Sequence, residues 1–456
     1  MPPRPRPCNK VEAALPHRHG AREERDERVE EAGIDTRHAT GDTRVSKCRN
    51  VVARVAGRMS RVMPSFRREG GRAMSEWKKV RLGDVCDVIN GRAYSLPELL
   101  DDGKYRILRV GNFFTSDRWY YSDMELPSEK YCEKGDLLFA WSASFGPLIW
   151  DGEKVIYHYH IWKLLPDEKL IDKKWLYFWL LHSCSTLTSS VHGSVMAHMT
   201  KSEMEDSMIP LPPLPAQRKI AAVLGALDDK IENNRKICAN LEAQAQAIFR
   251  SWFVDFEPFG GKMPNGWKMG KLGDVAIYRQ GKIAANELTP ETYYSTENML
   301  PDKQGLMPAT SLPQIGEVPA CEKGDVLISN IRPYFKKICF SWSHGGHSPD
   351  VLCLAAKNDN MRYWLYRQLW DDAFFAYVMS STKGTKMPRG DKEQILAYGM
   401  AIPNENDVAR FNAVIEPMCE SIVHKGFESR ALAALRDALL PKLMSGEIDV
   451  EKVEVA

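Results

Sequence analysis

The longest regular pattern in the chain is a stripe of core-compatible residues between Pro215 and Phe253. Its members follow one another at alternating steps of four and three residues, which is the 3.5-residue period of a coiled-coil seam. They are Ile220, Leu224, Leu227, Ile231, Asn234, Cys238, Leu241, Ala245, Ile248 and Trp252. A helix of this length, roughly 50 Å at 1.5 Å per residue, needs a partner with a matching stripe. Asn234 is the one polar member, of the kind that fixes register at a cost in stability.

A second long helix, predicted from about Asn406 to Ser445, supplies that partner. Three of its seam positions are polar, and Gly426 interrupts its middle at a cost of about 1 kcal/mol relative to alanine. The seam is Val408, Phe411, Ile415, Met418, Ile422, Lys425, Ser429, Leu432, Arg436, Leu439 and Leu443. We expect the two helices to pair antiparallel around a pseudo-two-fold axis. The pair would then act as a ruler that holds the two halves of the chain apart.

The segments that precede the two helices are copies of one another. Trp77 and the Leu-Gly-Asp-Val that begins at Leu82 recur 190 residues later, at Trp267 and Leu272. The tetrapeptide Glu-Lys-Gly-Asp occurs at 133–136 and again at 322–325. An Ile-Pro pair opens each helical region, at 209–210 and 402–403. Four landmarks in the same order at near-constant spacing indicate duplication of one folding unit.

Each copy reads as a run of short strands separated by Gly, Pro, Asn and Asp turns and followed by an aromatic-rich helical stretch. The fold class is therefore α+β, with two similar globular α/β domains joined by two long helices that form an antiparallel coiled coil. The predicted strands are Tyr105–Val110, Asp136–Trp141, Lys154–Leu165, Asp325–Asn330, Lys337–Trp342 and Val351–Ala355. The predicted helical stretches are Lys173–His182 and Met361–Met379. The predicted segments are 1–73, 74–208 (first domain), 209–256 (central helix), 257–401 (second domain) and 402–456 (C-terminal helix).

The first 73 residues differ from the remainder because they hold 15 arginines and neither Trp nor Tyr. Such a segment buries too little apolar surface to offset its ordering entropy. We expect it to be a disordered or mis-annotated leader, with Met74 as the start; a basic DNA-binding arm is the alternative. From Met74 onward acidic residues outnumber basic ones by five, so a nucleic-acid binder of this composition must gather its cations on one face.

Two similar modules on a rigid spacer suit a long periodic ligand, and DNA half-sites about one helical turn, ~34 Å, apart fall within the reach of the helix pair. Arginine can bind guanine with two hydrogen bonds, asparagine can bind adenine, and lysine neutralises phosphate. The second-half candidates for DNA binding are Asn330, Arg332, Tyr334, Lys336, Lys383, Lys386 and Arg389. The first-half candidates are Trp141, Ser142, Ser144, His192 and Lys201. The halves share a scaffold and differ in these loops, as recognition of two different half-sequences requires.

Other chemistry finds little support in the sequence. The chain has no Gly-x-x-x-x-Gly-Lys-Ser/Thr phosphate loop and no Gly-rich strand-to-helix turn for a dinucleotide or S-adenosylmethionine. Its ten cysteines form no zinc-like spacing, which is typical of reduced cytoplasmic proteins with cysteines in the core. His158 and His160 share a strand face, but without a third ligand we interpret them as ordinary strand histidines. No apolar run approaches the ~18 residues of a membrane span.

The motif order resembles the DNA-specificity subunit of type I restriction–modification systems, over essentially residues 74–456. The most specific matching pieces are Ile209-PLPPLPAQRKIAAVLGALDDKIENN and Gly324-DVLISNIRPYFKK. The segment from Asn404 departs from the pattern that opens the first helix. The resemblance implies that the two globules are target recognition domains, each reading one half of a bipartite double-stranded DNA site.

The resemblance also implies the partners. The paired helices would set the unread spacer and dock two methyltransferase subunits that methylate adenine, and restriction subunits can join the complex. The candidate spacer and docking residues are Ile220, Leu224, Leu227, Ile231, Leu241 and Ile248. By the same resemblance the chain is non-catalytic and binds no cofactor, while S-adenosylmethionine, ATP and magnesium belong to the partner subunits. The remaining alternative is a non-DNA adaptor with two ligand-binding modules on a coiled-coil brace.

Overall fold

The computed structural model describes residues 77–114, 118–142, 144–189, 199–314, 316–382 and 387–450. The predicted leader 1–73 and the candidates His192, Lys383 and Lys386 lie outside these residues. The chain forms two compact units. The first holds the described residues up to Asn234 together with those from Phe427, and the second holds the described residues of Arg235–Gly426. Each unit therefore combines one predicted globule with a portion of both long helices.

The first unit consists of two four-stranded sheets, a two-stranded sheet and the helices that cover them. One sheet has the strand order β2-β9-β6-β7 and the other β4-β3-β8-β5, while β1 pairs with β10. Its elements are β1 (Lys78–Arg81), β2 (Cys86–Asn90), β3 (Tyr105–Leu108), α1 (Val110–Phe114), β4 (Tyr120–Ser122), β5 (Tyr131–Cys132), β6 (Leu137–Ser142), β7 (Ser144–Ile149), β8 (Val155–Tyr157), β9 (Ile161–Pro166), α2 (Lys173–Ser189), α3 (Lys201–Glu205), β10 (Met208–Leu211) and α4 (Leu214–Phe253), whose second part belongs to the other unit.

The second unit has the same kinds of sheet. The strand orders are β12-β19-β16-β17 and β13-β15-β18-β14, and β11 pairs with β20. Its elements are β11 (Lys268–Lys271), α5 (Leu272–Val275), β12 (Ala276–Tyr278), β13 (Lys282–Ala284), β14 (Tyr293–Tyr294), β15 (Glu317–Cys321), β16 (Val326–Ser329), β17 (Ile338–Phe340), β18 (Gly345–His347), β19 (Val351–Ala356), α6 (Arg362–Trp370), α7 (Asp372–Ser380), α8 (Lys392–Leu396), β20 (Gly399–Ile402) and α9 (Glu405–Met444), whose last part belongs to the first unit.

The duplication predicted from the sequence is present in the strand pairing. The sheet β2-β9-β6-β7 has the connectivity of β12-β19-β16-β17. In the other sheets, a parallel pair (β3 with β8, β14 with β18) lies beside an antiparallel pair (β5 with β8, β15 with β18). The units differ in one outer strand, which is β4 in the first and β13 in the second. Two similar α/β domains are therefore confirmed.

The repeated Glu-Lys-Gly-Asp forms a tight turn before the central strand of each unit. The backbone N–H of Glu133 donates to Asp136 Oδ2 at 2.8 Å, and that of Glu322 donates to Asp325 Oδ2 at 2.8 Å. The glycine of each turn has a φ of +94° or +99°, which a side chain would disfavour. The motif is therefore explained by turn geometry at the start of β6 and β16.

The long helices pair antiparallel inside the first unit. Arg436 Nη1 donates to Asp228 Oδ1 at 2.7 Å, and Asn234 Nδ2 donates to Glu428 Oε2 at 2.9 Å. The first bond joins residue 228 to 436 and the second joins residue 234 to 428. Because one number rises while the other falls, the two helices run in opposite directions. Asn234 is fully buried, and no described residue donates to its Oδ1 atom. The predicted polar seam position therefore lies at the helix–helix contact.

The same antiparallel pairing continues inside the second unit, but with a shifted stripe. Cys238 Sγ lies 3.6 Å from the carbonyl oxygen of Ile422, and the rings of Phe253 and Phe411 are 4.9 Å apart. Beyond Ala245 the buried apolar positions of α4 are Phe249 and Phe253, whereas the predicted seam residues Ile248 and Trp252 are half-buried. Steps of four replace the 3–4 alternation because this end of α4 packs on a domain core rather than on one helix alone.

Several predicted element boundaries are wrong, each for a local reason. The strand predicted over Lys154–Leu165 is two strands, since 158–160 form a turn. The predicted helical stretch Met361–Met379 breaks at Asp371, whose carboxylate caps α7 by accepting the N–H of Ala373 at 2.9 Å. Residues 209–211, at the start of the segment predicted as the central helix, belong to β10, whose Pro210 is tolerated because the strand lies at a sheet edge. No helix in the described part of the chain is long and apolar enough to span a membrane.

The candidate docking residues of α4 differ in their exposure. Ile220 and Leu224 are fully buried in the first unit, in a core that also contains Leu440 and Leu443. They hold the helices on the domain and are not accessible to a partner subunit in this conformation, while their role in setting the spacer stays a prediction. The other four candidates are half-buried and keep part of their surface exposed: Leu227, Ile231, Leu241 and Ile248.

Candidate nucleic-acid interface

In the first unit the end of β6 meets two other chain segments through backbone hydrogen bonds. The N–H of Trp141 donates to the carbonyl of His160, in the β8–β9 turn, at 3.1 Å. The carbonyl of Trp141 accepts from the N–H of Met199 at 3.3 Å. The strand end, the turn and the segment before α3 therefore meet at one point. We call this arrangement of three segments the reading frame of the unit, a structural term that here has nothing to do with the codon frame of a gene.

The second unit repeats this frame. The N–H of Asn330 donates to the carbonyl of Asp350, in the β18–β19 turn, at 2.8 Å. Ile331 forms a β-bridge with Arg389, and the N–H of Arg332 donates to the carbonyl of Pro388 at 2.9 Å. The two candidate clusters of the second half, which are about sixty residues apart in sequence, are thus brought together.

Aromatic and imidazole rings fill the reading frame of the first unit. The ring of Trp141 stacks on Trp162 at 5.4 Å between centroids and meets His160 edge-on at 5.2 Å. Its Nε1–H donates to the carbonyl of Tyr159 at 2.8 Å. Tyr159 is 39% exposed and lies within 4.5 Å of the rings of His158 and His160, between centroids. The result is a continuous aromatic patch with one exposed tyrosine.

The two histidines of this patch are held in the neutral form. Burial, with lesser contributions from His160 and Arg109, lowers the pKa of His158 to about 4. Burial also lowers the pKa of His160, and Arg109 contributes in the same direction. Neutral imidazoles both donate and accept hydrogen bonds, so they can meet base edges without adding charge. The interpretation of both as strand histidines is wrong in part, because His158 forms a β-bridge with Arg92 whereas His160 lies in the β8–β9 turn.

The reading frame of the second unit carries charged and amide side chains instead. Arg389 Nη2 donates to Asp350 Oδ1 at 2.9 Å, and both side chains are about half exposed. Asn330 is half-buried, and a β-carbon added to Gly390 would lie 3.0 Å from its Oδ1 atom. Arg332 is exposed. In the second unit, therefore, the side chain of Arg332 is exposed to solvent, while that of Asn330 lies close to Gly390.

The β16–β17 connection of the second unit, residues 330–337, follows an uncommon backbone path. Arg332 and Lys336 adopt left-handed conformations with φ of +50° and +49°. Each such non-glycine residue costs on the order of 1–3 kcal/mol and persists only where its surroundings impose it. Between them, Pro333 is buried and begins a single 3₁₀ turn that carries Tyr334 and Phe335. A strained loop in this position is typical of a binding segment.

Two of the lysines in this region are bound to other parts of the second unit. Lys336 and Lys303 both donate to Asp372 Oδ1, at 2.9 and 2.7 Å. These two bonds hold the pKa of the Asp372 carboxyl below its ordinary value. Lys337 Nζ donates to the carbonyl of Thr296 at 2.5 Å, and burial lowers the pKa of Lys337. The predicted phosphate ligand Lys336 is therefore already engaged in an ion pair, which DNA would have to share.

The remaining candidates of the first half differ in accessibility. Ser142 is 5% exposed on β6, so the prediction that it contacts DNA is not compatible with this conformation. Its neighbour across the hairpin, Ser144, is half-buried. Lys201 is exposed in the first turn of α3, and its Nζ atom lies 3.3 Å from Oε1 of Glu205, which is one helical turn away. Trp141, Ser144 and Lys201 remain predictions for DNA contact.

The sequence analysis did not predict that the β8–β9 and β18–β19 turns belong to the two reading frames. Tyr159 and Asp350 lie beside the candidate residues, and Lys303 lies beside Lys336. The repeat itself contained a usable signal, since Trp141 and Asn330 are 189 residues apart and His160 and Asp350 are 190 apart. Among the described residues, no group of three or more His, Cys, Asp or Glu side chains is arranged to hold a metal ion.

Comparison with known proteins gives matches to one kind of protein. The family model described as type I restriction modification DNA specificity domain matches residues 74–243. The type I restriction enzyme MjaIX specificity subunit of Methanocaldococcus jannaschii is 25% identical over 324 residues, 64% of this chain and 72% of that protein. The EcoDI specificity subunit of Escherichia coli is 23% identical over 442 residues, 83% of this chain and 93% of that protein.

A solved structure extends the comparison to the fold. The type I restriction-modification S subunit from M. genitalium superposes with a TM-score of 0.57 at 16% identity. The match covers 82% of this chain and 98% of that one. At this identity the likeness concerns the fold, and it agrees with two α/β domains combined with long helices.

Proposed function

The chain belongs to the DNA specificity subunits of type I restriction–modification systems, and from this premise we propose that it reads a bipartite DNA site with one half-site per unit. A specificity subunit recognises DNA and leaves the chemistry to other chains. The finer proposal concerns how this particular chain divides the work. Each reading frame would meet its own half-site, and the two half-sites would differ in sequence.

The observation that carries this proposal is the repeated frame with different side chains. The hydrogen bond from Trp141 N–H to His160 in the first unit has its counterpart from Asn330 N–H to Asp350 in the second. At these corresponding positions the first frame carries an indole and an imidazole, while the second carries an amide and a carboxylate. One backbone geometry with two side-chain sets supports recognition of two different base sequences.

The side chains of each reading frame support a particular way of recognising bases. In the second unit, exposed Arg332 can form two hydrogen bonds to the O6 and N7 atoms of a guanine. In the first unit, Tyr159 and the neutral imidazoles offer hydrogen bonds and apolar contact without charge. Lysines at the edges, such as Lys201, would contact phosphates and fix orientation without reading sequence.

We extend the proposal to the partners. Two methyltransferase subunits would dock on the exposed surface of the long helices and methylate adenine, with restriction subunits able to join. S-adenosylmethionine, ATP and magnesium would belong to those subunits, and the complex would act on DNA in the cytoplasm. Because an adenine must leave the base stack to be methylated, the reading frames would hold flanking bases while a partner subunit extracts it.

The test is to sequence the host genome for N6-methyladenine with this chain present, deleted, or replaced by single variants. We expect one bipartite methylated motif that disappears on deletion. Arg332→Ala should relax one half of that motif, and Trp141→Ala should affect the other half. A chain that purifies alone, leaves the methylation pattern unchanged on deletion and ignores DNA at low salt would instead be the non-DNA adaptor.

A further inference from the structure

The β16–β17 connection exposes two aromatic rings side by side. Tyr334 is 48% exposed and Phe335 is 38% exposed, and their ring centroids are 4.6 Å apart. Large aromatic side chains are usually buried, because their apolar surface is unfavourable in water. Two adjacent ones at the tip of a strained loop therefore need a functional explanation.

The backbone on both sides of the two rings is fixed from outside the loop. The N–H of Asp302 donates to the carbonyl of Phe335 at 2.8 Å, and the N–H of Lys303 donates to the carbonyl of Lys336 at 3.1 Å. Asp302 and Lys303 themselves have φ of +52° and +61°, so the segment that holds the loop is also in a left-handed conformation. The two rings are thus presented on a rigid support.

The surroundings of the rings are positively charged. Lys303 and Lys336 share the carboxylate of Asp372, and Lys337 offsets the neighbouring carboxylate of Asp302, which leaves these five groups with a net charge of +1. Arg332, which immediately precedes the turn, adds a further exposed guanidinium. The rings also belong to the same segment as the reading frame, since the N–H of Arg332 bonds to Pro388. A polyanion that reaches the frame therefore meets the two rings as well.

On the premise of the proposed function, we propose that Tyr334 and Phe335 form a wedge that enters a base step of the half-site read by the second unit. Apolar and aromatic wedges of DNA-binding proteins partly unstack a base step and kink or unwind the duplex there. Base–aromatic stacking tolerates any sequence, because every base has a π-face. The two rings would deform the DNA while Arg332 recognises a base. Different residues of the same loop would thus determine the shape of the DNA and the recognition of its sequence.

The test measures unwinding. The full chain, purified with its methyltransferase subunits, is bound to a relaxed closed-circular plasmid that carries several copies of the methylated motif. Topoisomerase I then fixes the change in linking number. We expect the wild-type complex to unwind the plasmid. Combining Tyr334→Ala with Phe335→Ala should reduce the unwinding per bound complex at least two-fold when the two complexes are compared at equal occupancy.

A matched control exchanges the rings, by combining Tyr334→Phe with Phe335→Tyr, and should retain the unwinding. Equal unwinding by the alanine variant at equal occupancy would overturn the wedge while leaving the proposed function intact. Loss of the methyltransferase subunits on purification of the alanine variant would identify the rings as a protein contact instead. Failure of the wild-type complex to bind the motif plasmid at all would overturn the proposed function and the wedge with it.

Discussion

Arg367 is fully buried in α6 of the second unit, and its guanidinium is ion-paired with Glu242 on the long helix α4. Its Nη2 also lies 3.5 Å from the sulfur of Cys419 on α9. One buried cation thus contacts both long helices from within the domain. The pair fixes how this portion of the two helices lies against the fold of the second unit.

Removing the carboxylate of this pair should destabilise the second unit strongly. Glu242→Ala leaves a buried guanidinium without its counter-charge, and breaking a buried pair in this way costs about 3–5 kcal/mol. We expect a lower midpoint of chemical denaturation. Gln244→Ala, an exposed position on the same helix, is the matched control and should change the midpoint little. Equal effects of the two variants would show that the ion pair contributes nothing specific.

The buried amide of the helix seam leads to the opposite expectation. Asn234→Leu removes a buried oxygen that no described residue satisfies and adds apolar contact, so the thermal midpoint should rise. The adjacent exposed position gives the control, since Asn233→Leu should not stabilise. If Asn234→Leu lowers the midpoint, the hydrogen bond to Glu428 stabilises the seam more than leucine packing would.

Recognition of one half-site should depend on Arg332. Its replacement by alanine should cost about 1–3 kcal/mol at one base pair and relax the specificity there. The measurement is competition binding with duplexes that differ at single positions of the methylated motif, at one fixed salt concentration. If Arg332→Ala weakens all duplexes equally and lowers the salt dependence, this residue contacts phosphate rather than a base.

Acidification should destabilise the first unit through His158. Its pKa falls from an ordinary 6.5 to about 4 in the folded state, so the unfolded chain binds a proton that the folded chain does not. This contribution to stability is complete above pH 6.5 and is lost as the pH falls toward 4. Solvent screening reduces the size of this contribution, because His158 is only partly buried. Unfolding midpoints of the wild type and His158→Gln, compared between pH 7.5 and 4.5, should show a shallower pH dependence for the variant.

The repeated domains and the paired helices were predictable, because duplication and a 3.5-residue period are visible in one sequence. The shift of the buried stripe to Phe249 and Phe253 was not, since it depends on the domain core against which α4 packs. The break at Asp371 could have been read from an aspartate that can cap the helix after it.

The candidate site was predicted less completely than the fold. The strand ends at Trp141 and Asn330 were found because polar and aromatic residues follow a buried strand. The turns that contain Tyr159 and Asp350 were missed, because their contribution arises from sheet pairing between residues far apart in the chain. The burial of Ser142 was missed for the same reason.

The hydrogen bonds that define the reading frames join main-chain atoms only. Exchanging the side chain at Trp141, His160, Asn330 or Asp350 therefore leaves these main-chain bonds in place. It removes only the added side-chain contacts, such as the indole bond of Trp141 to Tyr159 and the ion pair of Asp350 with Arg389. To that extent, the side chains that recognise bases can change without a large change in the free energy of folding. An engineer could vary the residues of one frame as a library and expect most members to fold, with altered recognition confined to a single half-site.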